Sequence, residues 1–363
     1  MSDIQTVHAA DAASLAPFDA VIDVRSPAEF AEDHVPGAIS LPVLSDSERA
    51  QVGTIYVQES RFRARRIGAA LIARNVARHL ETALADKGGD FKPLVYCWRG
   101  GQRSRAMATI LAEVGWRTAV LAGGYKTYRR RVKARLYDEP LPATFVLLDG
   151  RTGSGKTEML ARLASRGVQT LDLEALAEHR GSVFGGLPGR AQPSQKMFES
   201  RLLGALESLD LSRPVVAEAE ASKVGDRMVP PSLWEAMQAA PRIALSAPLE
   251  ARASYLARVY ADVVSDRARF DAAIARLPVH PGRKALAAWR DLADAGDLEA
   301  LARELMQLHY DPAYDRAARK EPRARLALIE LPDLTDAAQE AAAGEAAAAV
   351  AAWGAACAEA CEC

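Results

Sequence analysis

Residues 145–157 read FVLLDGRTGSGKT. The opening run FVLL is apolar, as in a buried strand, and GRTGSGKT fits the pattern G-x-x-x-x-G-K-[ST] of a phosphate-binding loop. The helix-forming run EMLARLAS follows directly, as such a loop requires. Glycines let backbone N–H groups wrap a phosphate, the lysine neutralises its charge, and the threonine hydroxyl suits Mg²⁺. The predicted phosphate-binding residues are Gly150, Arg151, Thr152, Gly153, Ser154, Gly155, Lys156 and Thr157.

Short apolar runs alternate with helical stretches on both sides of this loop. They lie at 20–24, 94–97 and 118–121 before the loop, and at 214–217 and 243–245 after it. This alternation is typical of parallel sheets covered by helices. Charge changes near DEPLPA (138–143): residues 1–140 hold 20 basic and 16 acidic residues, and the remainder holds 26 and 31. We therefore predict an α/β protein with domains at 1–138 and 139–335, the second ending in a helical region, and a loosely packed alanine-rich tail at 336–363.

Composition narrows the class of protein. The chain has 363 residues, 49% of them hydrophobic, and a formal net charge of -1, so it can bury a core and is not uniformly basic. We see no apolar run of the ~18 residues that a membrane helix needs, and no secretion signal at the start. The expected location is the cytoplasm, without a membrane partner. The four cysteines are Cys97, Cys357, Cys361 and Cys363, which excludes a disulfide framework for the body of the fold.

Cys97 is a candidate nucleophile because of the residues that follow it. It ends an apolar run and opens the string CWRGGQRS (97–104), after which helix-forming sequence begins. Backbone N–H groups at the helix start, the helix dipole and nearby arginines all favour a thiolate over a thiol. Glycines let several N–H groups converge on one anion, such as a persulfide, a perselenide or a phosphate-like group. The predicted anion loop comprises Trp98, Arg99, Gly100, Gly101, Gln102, Arg103 and Ser104.

This string resembles the active loop of rhodanese domains. Residues 23–30 (DVRSPAEF) and 34–38 (HVPGA) resemble the early signature of that family, and residues 121–125 (LAGGY) resemble its closing strand and turn. The resemblance implies a parallel sheet with helices on both faces, and a sulfur or selenium atom carried on Cys97. Asp23 and His34 are expected to hold loops together.

Two stretches of the first domain are rich in arginine. Residues 49–79 lie in a predicted helical insert (about 45–90) and hold seven arginines and one acidic residue, while KTYRRRVKAR (126–135) holds six basic residues and no acidic one. Interleaved aromatic residues suit base stacking, and the arginines suit a phosphate backbone. A solvated helical face is the alternative. The predicted RNA-binding residues are Arg61, Arg63, Arg65, Arg66, Arg129, Arg130 and Arg131.

A rhodanese-like domain followed by a P-loop NTPase-like domain resembles the bacterial tRNA 2-selenouridine synthases. The strings LDLE (171–174), HRGSVFG (179–185), QPSQKMFE (192–199) and EAE (218–220) also resemble that family, although they could simply position loops. No Walker B aspartate is evident, since Glu218, Glu220 and Asp172 all compete for that place. No metal site is therefore assigned, although Mg²⁺ on Thr157 stays open.

The resemblance implies replacement of sulfur by selenium at C2 of wobble 2-thiouridine in tRNA. Selenophosphate and geranyl diphosphate are the implied co-substrates, no cofactor is tightly bound, and a selenophosphate-supplying enzyme is a possible partner. We expect the Cys97 thiolate to attack selenium, phosphate to leave, and a perselenide to remain near Arg99 and Arg103. We expect Lys156 and its neighbours to hold geranyl diphosphate, whose geranyl group converts the sulfur into a better leaving group.

Three other functions stay open at this point. A rhodanese-type sulfurtransferase with a nucleotide-switch domain would transfer sulfur without tRNA. A small-molecule kinase with a rhodanese-like regulatory module would keep its ATP turnover after Cys97→Ala. The third is an RNA-binding scaffold whose catalytic sites have decayed. The intact Cys97 loop and phosphate-binding loop argue against it.

Overall fold

The computed structural model of the chain describes residues 4–264, 266–277, 282–320 and 324–361. Cys363, one of the tail cysteines, lies outside the described residues. By its internal contacts the chain divides into two compact units. The first unit comprises Met1–Asp138 with Ser194–Glu207, and the second comprises Glu139–Pro193 with Ser208–Cys363.

The first part of the chain alternates short strands with helices. Its strands are β1 (Gln5–Val7), β2 (Ala20–Asp23), β3 (Ile39–Ser40), β4 (Pro93–Tyr96) and β5 (Ala119–Leu121). Its helices are α1 (Ala12–Leu15), α2 (Pro27–Glu32), α3 (Asp46–Gln58), α4 (Arg61–Glu81), α5 (Gln102–Glu113) and α6 (Tyr125–Lys133), the last continuing into a π-helical turn (Ala134–Asp138).

The first unit is built on a parallel sheet with strand order β1-β5-β4-β2-β3. The predicted runs at 20–24, 94–97 and 118–121 are confirmed as β2, β4 and β5, and β4 occupies the centre of the sheet. The strands β1 and β3 were not predicted, because two or three residues are too few to show an alternating pattern. The α/β class predicted from the sequence is confirmed.

The predicted basic insert is a pair of helices, α3 and α4. Helix α3 begins with a capping box in which the Glu48 carboxylate accepts from Ser45 N and Glu48 N donates to Ser45 Oγ. Helix α4 buries Ala64, Gly68, Ile72 and Val76, a spacing of four that places one face against the core. Its exposed faces therefore carry the arginines.

The second part of the chain is longer and more helical. Its strands are β6 (Phe145–Gly150), β7 (Gln169–Leu171), β8 (Val215–Glu218), β9 (Lys223–Val224), β10 (Arg227–Met228), β11 (Arg242–Ser246) and β12 (Arg325–Glu330). Its helices are α7 (Lys156–Ser165), α8 (Leu173–Leu176), α9 (Gln195–Glu207), α10 (Pro231–Ala239), α11 (Leu249–Val259), α12 (Ala261–Val264), α13 (Arg267–Ala275), α14 (Arg283–Asp294), α15 (Leu298–Leu305), α16 (Asp311–Lys320) and α17 (Asp336–Cys361), with a π-helical turn at Met306–Tyr310.

The second unit is built on another parallel sheet, with strand order β12-β11-β6-β8-β7. Strand β6 is central, so the phosphate-binding loop, like the Cys97 loop, follows the middle strand of its sheet. Ligands of such sheets bind at the carboxyl ends of the strands, which is where both loops lie. The predicted helical region forms a cluster of its own around Phe270, Trp289 and Leu301.

Helix α9 departs from the predicted domain division. By sequence it lies inside the second domain, but it packs in the first unit. The Glu199 carboxylate accepts from the Arg129 guanidinium and, at 2.6 Å, from the Tyr137 hydroxyl, while Glu207 pairs with Arg131. The predicted boundary near residue 138 therefore assigns α9 to the second domain, although this helix belongs to the first unit.

The alanine-rich tail was predicted to be loosely packed, but it packs closely against the second unit. Helix α17 packs on α7 and β12, and its residues Ala342, Ala343, Ala346 and Val350 are buried in the core of the second unit. Alanine lets two helices approach closely, so few large side chains are needed. Within the described residues, Asp336–Glu359 is also long and apolar enough by composition to cross a membrane, contrary to our reading of the sequence, because alanine counts as apolar.

Candidate functional site

Cys97 lies directly after β4 with only 3% of its surface exposed. Its Sγ accepts a hydrogen bond from Gly101 N at 3.2 Å and lies 3.2 Å from Ser104 Oγ. Helix α5 begins one residue after Gly101, so the N–H group that contacts the sulfur belongs to the N-cap residue of this helix. The predicted anion loop therefore curls around Cys97.

A second glycine turn supports this loop from behind. Tyr125 N donates to Cys97 O at 2.8 Å, and Lys126 N donates to Trp98 O at 3.1 Å. Gly124 has a φ of +59°, and a Cβ there would lie 2.1 Å from Cys97 O. Only glycine fits so close to the loop, which explains the closing signature at 121–125.

The arginines of the loop differ from the expectation that both cradle an anion. Arg103 donates to Glu29 of α2 at 2.7 Å, and Arg49 pairs with the same carboxylate at 2.9 Å. Burial would raise the pKa of Glu29, but the two guanidiniums outweigh it and hold that pKa below its usual value. Arg99 is exposed at the surface. Within the described residues, the polar groups in contact with the sulfur are thus the Gly101 N–H group and the Ser104 hydroxyl, and neither arginine.

The early signature of the first domain has a structural role. The fully buried Asp23 accepts from Arg25 Nε and Nη2, and the Arg25 guanidinium lies 4.0 Å from the centre of the Tyr125 ring. Tyr125 in turn donates to Asp33 at 2.6 Å. His34 stacks on a phenylalanine ring and does not approach Cys97 through any described contact. This network fixes the turn that supports the Cys97 loop.

The phosphate-binding loop has the backbone that its glycines predict. Gly153 and Gly155 have φ values of +81° and +75°, and α7 begins at Lys156. Lys156 Nζ donates to Gly150 O at 3.0 Å. The loop forms one wall of a pocket of about 400 Å³. The buried Ser154 hydroxyl has no hydrogen-bond partner within the described part of the chain.

Two glutamates in this pocket were not identified as a pair from the sequence. Glu174 accepts from Thr157 Oγ1 at 3.1 Å, and Glu220 lies beside it. Burial and the neighbouring Glu220 raise the pKa of Glu174 to about 7, and burial also raises the pKa of Glu220. The pair therefore shares a proton near neutral pH. Among the described residues, no group of three or more His, Cys, Asp or Glu side chains is arranged to hold a metal ion.

An apolar recess adjoins the phosphate pocket. It has a volume of about 50 Å³, and its walls include Phe184, Phe270 and Leu301. Pocket and recess share five lining residues, Thr152, Ser182, Leu256, Tyr260 and Tyr310. A ligand with an anionic head and an apolar tail would therefore find both kinds of surface side by side.

The remaining strings of the second domain position loops. Gln192 Nε2 donates to Ala177 O at 3.0 Å and to Val224 O at 3.1 Å. Arg180 pairs with Asp262 at 3.0 Å. Asp172 caps α8 by accepting from Ala175 N at 2.7 Å.

Each half of the chain matches the model of a known protein family. Residues 7–131 match the family model of the rhodanese-like domain, and residues 143–276 match that of the tRNA 2-selenouridine synthase AAA domain. The resemblance to the tRNA 2-selenouridine synthase family is confirmed.

Relatives named tRNA 2-selenouridine synthase match both domains. Those from Aeromonas salmonicida, Nitrosomonas europaea and Psychromonas ingrahamii are 38%, 36% and 34% identical over 66%, 64% and 68% of this chain. The matches cover 64%, 61% and 66% of the relatives themselves, slightly less than two thirds of their length.

The arginines predicted to bind tRNA fall into two groups. Arg61, Arg63, Arg65 and Arg66 are exposed along α4. Arg130 is exposed on α6, but Arg129 and Arg131 form ion pairs with glutamates of α9. Those two are better explained as anchors of that helix, since a carboxylate of α9 already neutralises the charge of each guanidinium.

Proposed function

We propose that the protein is a tRNA 2-selenouridine synthase that replaces sulfur by selenium at C2 of wobble 2-thiouridine. The observation that carries the proposal is a buried Cys97 thiol that accepts from Gly101 N at the start of a helix, in a chain whose second domain matches the AAA domain of that family. The name of the relatives supports tRNA as the substrate. A cytoplasmic location is part of the proposal, since tRNA is modified there.

The second unit is proposed to bind geranyl diphosphate. The diphosphate would lie in the pocket of the phosphate-binding loop, and its tail would enter the apolar recess. If a nucleotide were bound in the same way, its ribose and base would lie against the apolar walls of the recess and would lose hydrogen bonds to water. The recess of about 50 Å³ is small for ten carbon atoms, so Leu256 and its neighbours must shift when the tail enters.

In the first reaction the sulfur of 2-thiouridine attacks C1 of the geranyl group. A carbon–sulfur bond forms, the carbon–oxygen bond to the diphosphate breaks, and the diphosphate leaves with the electron pair. Lys156 and the loop N–H groups stabilise the charge that develops on the leaving diphosphate. If a Mg²⁺ ion accompanies the diphosphate, Thr157 Oγ1 and a carboxylate oxygen of Glu174 would hold it.

An electron count changes the expected role of Cys97 in the second reaction. If the thiolate attacked selenium and a perselenide formed, the electron pair of the selenium–phosphorus bond would leave on phosphorus as phosphite. Release of phosphate together with a perselenide would need an oxidant, which none of the proposed substrates supplies. We therefore propose that selenium of selenophosphate attacks C2, geranylthiolate leaves, and water hydrolyses the selenium–phosphorus bond to give phosphate.

This route gives Cys97 and its loop two tasks. The N–H groups at the start of α5 bind the phosphoryl group of selenophosphate. The Cys97 thiol, fixed by Gly101 N and Ser104 Oγ, gives its proton to the leaving geranylthiolate. Loss of the thiol therefore removes selenium transfer and spares the geranyl transfer in the second unit.

Binding measurements on the second unit's recess test this assignment. Ala257 is half-buried at the recess, and Ala257→Phe would narrow it without changing the phosphate-binding loop. We expect wild type to bind geranyl diphosphate at least tenfold more tightly than inorganic diphosphate, because apolar burial contributes about 25 cal/mol per Å². Ala257→Phe should reduce that ratio and leave the affinity for diphosphate unchanged. Equal affinities in wild type, or tighter binding of ATP, would contradict the assignment.

A further inference from the structure

Three helices of the first unit enclose a cleft of about 730 Å³, here called the α3–α5 cleft. Its walls come from the basic insert, α3 and α4, and from α5, which begins directly after the Cys97 loop. Gln102 and Arg103 belong both to that loop and to the cleft wall. A polymer bound in the cleft would therefore run next to the Cys97 loop.

The cleft is strongly positive. Four arginines line it, Arg49, Arg65, Arg103 and Arg105, and none of its lining residues is acidic. Arg49 and Arg103 share one carboxylate, that of Glu29. The exposed side chains of Arg65 and Arg105 have no ion pair or hydrogen bond with any described residue. Two guanidiniums are therefore free to bind anions.

The cleft also presents apolar and aromatic surface to solvent. Tyr56 is 43% exposed and Val57 is 82% exposed, and both line it. Phe62, in the first turn of α4, is 76% exposed. The Arg61 guanidinium lies 5.6 Å from the centre of the Tyr56 ring, as it would beside a base stacked on the other face. Free arginines beside an exposed aromatic ring complement alternating phosphates and bases.

We propose that the α3–α5 cleft binds an unpaired nucleotide of the RNA next to the nucleotide that reacts at Cys97. Its base packs on Tyr56 and Val57, and its phosphates contact Arg65 and Arg105. The inference rests on the proposed function, which supplies RNA as the substrate. It also narrows the predicted basic surface, since Arg63 and Arg66 lie outside the cleft. Duplex RNA does not expose a base face and would not fill this site.

The test is a binding titration of the full chain with a fluorescent anticodon stem-loop RNA that carries 2-thiouridine at the wobble position. The variants are Tyr56→Ala, Arg65→Ala and Arg105→Ala, all at exposed side chains, so folding should be unaffected. Arg78→Ala is the matched control, because Arg78 is exposed on α4 outside the cleft. Affinity is measured by anisotropy at several salt concentrations.

We expect Tyr56→Ala to weaken binding by about 5- to 100-fold, the usual effect of losing one stacked base. Arg65→Ala and Arg105→Ala should each lower the slope of log K against log salt concentration by about 0.7. Arg78→Ala should bind within twofold of wild type. Unchanged binding in the cleft variants, or an equal loss in Arg78→Ala, would overturn the inference. Failure of the proposed function would show separately, as wild type that binds the RNA in this pattern without forming selenouridine.

Discussion

At the scale of single residues, the paired glutamates of the phosphate pocket should make ligand binding depend on pH. Glu174 and Glu220 share a proton while the pH is below the pKa of Glu174, about 7. Above that pH the proton is lost, and the second negative charge repels a diphosphate held by Lys156. The affinity for an anionic ligand should therefore fall as the pH rises, because the glutamate pair carries one negative charge fewer below this pKa than above it.

Glu174→Gln should remove this dependence. In the presence of a metal chelator, we expect the affinity of wild type for inorganic diphosphate to fall by about 5- to 10-fold, relative to the variant, between pH 6 and pH 8.5. Dividing by the variant's affinity cancels the ionisation of the ligand itself. The control is Glu250→Gln, an exposed acid outside the pocket, which should keep the wild-type profile. Identical profiles in wild type and Glu174→Gln would contradict the shared proton.

Residue identity predicted that the GRTGSGKT loop and the Cys97 loop each connect a strand to a helix, because each combines glycines and charge with a strand-to-helix change within a few residues. It did not predict where Arg103 or Arg129 point. Both appear as free cations in the sequence, yet Arg103 pairs with Glu29, 74 residues away, and Arg129 with Glu199, 70 residues away. Pairings across such separations are set by the packing of helices and leave no local pattern.

At the scale of elements, α9 is the feature with the most direct test. Its Glu199 is almost fully buried, and Arg129 and Tyr137 of the first unit donate to it. Glu199→Ala would remove the carboxylate that contacts the partly buried Arg129 guanidinium and leave it the more distant carboxylate of Asp33, at 4.0 Å. We expect this to destabilise the first unit by about 1–3 kcal/mol, less than for a fully buried pair because Arg129 keeps some exposure.

The matched comparison is Glu207→Ala on the same helix. Its pair with Arg131 is more exposed, so the expected loss is under about 1 kcal/mol. Hydrogen exchange of α9 followed by mass spectrometry measures both variants in the full chain. Equal exchange in the two variants, or no change in either, would show that the Glu199 pair does not hold α9 in the first unit.

Element prediction succeeded where strands are buried and apolar, as in β4 and β6. The domain prediction missed α9, because the sequence of a helix does not show which unit the helix packs in. The prediction for the tail was also wrong, because the high alanine content of α17 was interpreted as a sign of loose packing. Small side chains allow close contact with α7, so a low content of large apolar residues did not mean a loose helix.

At the scale of the whole molecule, two parallel sheets each present one functional loop after their central strand. The chain thereby combines a thiol in the predicted anion loop with a predicted phosphate-binding loop whose pocket adjoins an apolar recess. Two reactions in sequence, activation of sulfur and its replacement by selenium, fit this division of chemistry between the units. The order of domains was evident in the sequence, but the recess was not, because its walls come from helices far apart in the chain.

The central claim is tested most directly by analysing the nucleosides of tRNA after reaction. Wild type, Cys97→Ala and Lys156→Ala are each incubated with 2-thiouridine-containing tRNA, selenophosphate and geranyl diphosphate, and the products are identified by mass spectrometry. We predict selenouridine from wild type alone, a geranylated thiouridine that persists in Cys97→Ala, and neither product from Lys156→Ala. Unchanged 2-thiouridine in wild type, or selenouridine formed by Cys97→Ala, would contradict the account.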